Sequence, residues 1–161
     1  MNLWKTEKWR EKYDMTRIRG GLRLRCDSGI DCEVRRACKE FCYWLRKEYK
    51  FPVRVPIYLK NQDRIRAKDG ELVTAIFCGP YNKYHEPHIR IAVGDYQELL
   101  LLNPEDKDNI LAGYLCSIAH ELTHYYQWLN DIELTPIGEE RQAVRYGEFI
   151  LNEYAQTREH P

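Results

Sequence analysis

Residues 106–130 make two demands on any fold that contains them. Leu111, Leu115, Ile118, Leu122, Tyr125 and Leu129 recur at intervals of three and four, which predicts a long helix with its apolar stripe in a core. Within that helix, SIAHELTHYYQWL (117–129) sets His120, Glu121 and His124 into five consecutive positions. Titratable groups buried there without partners are costly, and a bound cation removes the cost. His120 and His124, four residues apart, leave a helix on the same side, one turn above the other. That is the spacing for two imidazoles on one tetrahedral zinc ion, with Glu121 placed to take a proton from water beside it. One Zn2+ ion is therefore expected.

A catalytic zinc usually takes three protein ligands. The only downstream histidine, His160, is second from the end of the sequence and a poor donor. A glutamate of the last helix is the better candidate. Glu140 heads an apolar stripe through Ala143, Val144, Gly147, Leu151 and Tyr154, while Glu139 points to an adjacent face and can also reach. Glu148 falls with Arg141 and Arg145 on a solvated side.

The rest of the chain predicts an α+β domain without repeats. Asp31 can cap a helix in which Val34, Ala37, Cys38, Phe41, Cys42 and Leu45 form the buried face. Segments 53–59, 71–79 and 88–94 read as strands, and connections too short for crossover helices predict a three-stranded, largely antiparallel sheet. Residues 95–103 read as a short helix, followed by the long helix and the glutamate helix. Residues 1–30 read as an N-terminal arm on a single domain, 31–161.

The balance of 25 basic and 25 acidic residues gives no overall field toward nucleic acid or membrane, so neither partner is expected. Residues 1–50 nevertheless hold 14 Lys/Arg against 8 Asp/Glu, assigned here to a solvated helix face. The first 25 residues lack an apolar stretch of signal-peptide length and no run is long enough to span a membrane. The expectation is a soluble, cytoplasmic protein whose six cysteines are reduced.

HELTH followed by EERQAVRYGEFIL resembles the glutamate-zinc metallopeptidases (gluzincins), in particular the small minigluzincins and the ImmA/IrrE-like peptidases. The likeness covers roughly residues 31–157. It implies a small zincin-like domain, with His120, His124 and Glu140 as zinc ligands and Glu121 as general base for peptide hydrolysis by a zinc-activated water. Many gluzincins carry an aspartate four residues after the ligand glutamate, where this chain has Val144, so either another group, Glu133 or a backbone carbonyl, orients the histidine or the site is weaker than the family norm. The ImmA/IrrE-like group often has a glutamate where this chain has Gln142.

A peptide or protein substrate is expected to lie along strand 88–94 as an added strand. Tyr146, Tyr84 and His88 are the candidate donors to a developing oxyanion. Two other readings compete. In one, the arm places Cys26 on the metal of a latent or non-catalytic zinc protein. In the other, the basic amino-terminal helix marks a DNA-associated protease.

Overall fold

The computed structural model describes residues 2–161. In it, a short helix, α1 (Trp9–Lys12), lies between two 3-10 turns and leads into strand β1 (Leu22–Cys26). Helix α2 (Cys32–Glu48) begins where Asp31 predicts, its carboxylate accepting from the Glu33 N–H at 2.8 Å. Removing that cap by Asp31→Ala should cost about 1 kcal/mol, read as a lower urea midpoint with unchanged slope. Then come β2 (Val55–Lys60), β3 (Ile65–Arg66), β4 (Leu72–Val73), β5 (Ala75–Cys78) and β6 (His88–Ala92). Helices α3 (Tyr96–Leu102), α4 (Lys107–Leu129) and α5 (Pro136–Ala155) complete an α+β fold. Among the described residues, no helix is long and apolar enough to cross a membrane.

The sheet corrects the expectation of three largely antiparallel strands. It has four strands in the order β1-β2-β6-β5, and β2 lies parallel to both β1 and β6. Only β5 is antiparallel within it. The cause lies in LRLRC, read as part of the arm, which is a strand. With a strand before it, α2 becomes the crossover that a parallel pair requires. Segment 71–79 also divides at Thr74, and its first part, β4, pairs with β3 in a separate hairpin.

The strands sort their side chains cleanly. Leu22, Val55, Ile57, Leu59, Ile89 and Ile91 are buried on the face that packs against α2 and α4. Each such side chain contributes about 1.5–3 kcal/mol on burial. The opposite face carries Arg23, Arg25, Tyr58, His88 and Arg90. Behind α4 lies the N-terminal segment. The Trp4 indole, 2% exposed, donates to Thr123 Oγ1 at 3.1 Å, and the Trp9 N–H donates to Asn130 Oδ1 at 3.3 Å. Thr123 sits between the two histidines in sequence, so the segment buttresses the helix directly behind them.

Candidate metal centre

Helix α5 starts sharply, with Thr135 Oγ1 accepting from the Gly138 N–H at 3.1 Å and Pro136 in the first turn. Its small residues then let it lie close to α4. Ala143 is fully buried, and a Cβ on Gly147 would stand only 3.4 Å from the Cys116 carbonyl oxygen. That approach brings Glu140 over the histidines. His120 Nε2 lies 3.2 Å from Glu140 Oε2, and His124 Nε2 lies 3.0 Å from Glu140 Oε1. One ligand atom from each of the three residues falls within 4.8 Å of the others, a grouping that can hold a metal ion. Burial, and secondarily the neighbouring His124, hold the His120 imidazole below its ordinary pKa, favouring the neutral form that ligates.

Glu121 occupies the floor beside this group and is 7% exposed. Burial pushes its carboxyl up to about 8, the charge of Glu140 adds to the rise, and the Phe77 N–H opposes it. A cation beside the two carboxylates would reverse the penalty. The Phe77 contact fixes how β5 stands over the helix. Since the Ala92 N–H donates to Thr74 O at 2.8 Å, alternation along an antiparallel pair turns Ile76 and Cys78 toward β6. Ala75 and Phe77 then direct their N–H and C=O groups to the open edge. That edge roofs a cleft of about 1110 Å3 floored by α4, with Trp128, Ile132 and Lys83 at one end.

The orientation of His124 comes from Gln127. His124 Nδ1 lies 2.8 Å from Gln127 Oε1. The Gln127 amide nitrogen donates to the Glu139 carbonyl at 3.0 Å and to Gln142 Oε1 at 2.9 Å. A backbone carbonyl only accepts, so the amide nitrogen must face it and the amide oxygen must face the histidine. Nδ1 therefore carries a proton, and Nε2 is the ring nitrogen directed at Glu140. Val144 is 50% exposed, away from this contact. Gln127→Ala should lower the affinity of this site for a metal ion about 10–100-fold, measured by competition with a chromophoric chelator.

The structure thus brings together His120, Glu121, His124 and Glu140. Glu139 also lines the cleft, but it contributes its carbonyl to Gln127 and its carboxylate lies outside the three-residue group. The three oxyanion candidates do not line the cleft. The Tyr146 hydroxyl accepts from the Leu3 N–H at 2.8 Å, and Tyr84 accepts from the Asp14 N–H at 3.2 Å. His88 sits on the far face of the sheet against Tyr58, because its register parity is opposite to that of Ile89. Glu133 is exposed and takes no part. Cys26 lies in β1, the edge of the sheet opposite the cleft, which removes the basis for its reaching the metal. Strand 88–94 is not an edge either, since β6 is paired on both sides and the open edge belongs to β5. Sequence reasoning missed Gln127 and Phe77. Gln127 stands three residues after His124, a helical neighbour by spacing, and that was the available signal.

The chain matches no protein-family model, no curated protein and no solved structure.

Proposed function

We propose that this chain is a zinc-dependent metallopeptidase, with His120, His124 and Glu140 as ligands and Glu121 as general base. The observation that carries the reading is the position of Glu121, buried beside the three convergent donors and under an open strand edge. Two imidazoles and one carboxylate are a donor set suited to zinc, and three protein ligands leave a place for water or substrate. The metal supplies polarisation of a carbonyl oxygen and acidification of water. Glu121 takes the proton from the attacking water and returns it to the departing amine. Its contact with the Phe77 N–H holds the carboxylate in one orientation. The outward-facing groups of Ala75 and the Phe77 carbonyl give an extended peptide a strand to pair with, which lays its backbone across the cleft. Cleavage of a peptide library by protein carrying one zinc per chain, lost in Glu121→Gln, is the expected result. A preparation that excludes zinc from wild-type protein, or activity that survives Glu121→Gln, would reject the reading.

A further inference from the structure

Parallel strands are ordinarily covered on both faces. Here α2 and α4 cover one face of the parallel trio β1-β2-β6, while the other, buried at Pro56 and Ala92, elsewhere presents charge. Register places Arg25, Tyr58, Arg90 and Ile76 side by side across the four strands. The neighbouring row holds Arg23 beside Pro56 on one side of the sheet and His88 beside Cys78 on the other. No acidic residue stands at an outward position of these four strands.

Two of the acidic groups around the face are ion-paired. Asp27 pairs with Lys60 at 3.2 Å, and Glu86 lies 3.6 Å from Arg54. Asp69 accepts from the Glu71 N–H at 3.0 Å. Among the described residues, Arg23, Arg25 and Arg90 have no carboxylate within ion-pair distance. The Nε of Arg90 is shielded from water and has no hydrogen-bond partner within the protein. Part of the charge of α2, by contrast, has partners within the protein. Arg36 is held by Glu33 and Glu40, and Arg46 donates to the Leu22 carbonyl. Arg23 and Arg25 place part of the basic excess of the first third of the chain on the sheet.

We infer that this open sheet face binds single-stranded nucleic acid. Arg25 and Arg90 flank the Tyr58 ring, which is 38% exposed and set edge-on to His88. Successive strands lie about 4.8 Å apart, so the row offers cation, aromatic face and cation within the reach of adjacent nucleotides. Unpaired bases can stack on such a ring, whereas a duplex keeps its bases inside. A groove of about 580 Å3, lined by Lys68, Asp69, Ile76, Pro80, Glu86 and His88, adjoins this face past β5.

The test is fluorescence anisotropy of labelled oligothymidylate and oligouridylate on the full chain, beside a duplex of equal length and polyglutamate. Three arginine–phosphate contacts predict a log–log salt slope of about −2, or roughly twentyfold weaker binding between about 50 and about 200 mM NaCl. Tyr58→Ala should weaken single-strand binding about tenfold or more while Tyr58→Phe retains it. Arg25→Glu with Arg90→Glu should abolish it and flatten the salt slope. These side chains face away from the core, and unchanged circular dichroism and melting would show that the variants fold. Absence of saturable binding by wild type, or binding indifferent to the arginine reversals, overturns the inference. So does equal affinity for duplex or polyglutamate with no effect of Tyr58→Ala, which would mark a mere polyanion patch.

Discussion

His124→Ala is expected to abolish stoichiometric zinc binding while leaving the fold intact. The side chain supplies one of three convergent donors, and its Nδ1 also ties the metal helix to Gln127 and through it to α5. Loss of a supporting group alone costs about 10–100-fold in affinity, and loss of a ligand should exceed that. Zinc at about a hundredfold above its dissociation constant should stabilise wild-type protein by about 2.7 kcal/mol. For a chain of this size that corresponds to a melting shift of about 5–10 °C. The variant should melt at one temperature with and without zinc. Glu140→Gln should also lose the metal, since an amide oxygen is a weaker ligand than a carboxylate. A zinc-dependent melting shift that persists in both variants would place the metal elsewhere.

Glu121→Gln should keep the zinc and lose the chemistry, with kcat/KM falling by about 10²–10⁴. Glutamine has nearly the same shape and retains an oxygen for the Phe77 N–H, so the wall of the cleft should not move. What disappears is a carboxylate able to take and return a proton. The variant is also informative as a binding probe, because a peptide can still pair with β5 while remaining uncleaved. Unchanged KM with lowered kcat separates the proton-transfer role from a structural one.

Much of the candidate centre is legible in the chain because it is written locally. The four-residue spacing of His120 and His124, and the apolar stripe below Glu140, each follow from helix geometry within one element. The sheet is not legible in the same way. LRLRC alternates as a strand should, but its partner Val55–Lys60 lies beyond a whole helix, and parallel pairing is decided by packing rather than by a turn. The alternation of HIRIA reveals which side chains are buried but not which of the strand's two edges is free. Gln127 escaped for a related reason. Its role depends on the Glu139 carbonyl arriving from α5, and no periodicity in α4 records that.

Strand β5 is only four residues long, yet it is the common wall of the two proposed ligand surfaces. Ile76 lines the groove on the basic face, and Phe77, the next residue, holds Glu121 in the cleft. Successive residues of a strand cannot shift independently, so a ligand that displaces β5 from one side changes the geometry on the other. Thermodynamic linkage makes any such effect reciprocal, with each ligand altering the affinity of the other by the same factor. A peptide held in the cleft of the uncleaving Glu121→Gln protein and an oligonucleotide on the sheet would then report on each other, and the size of that factor measures how stiffly this one strand is mounted.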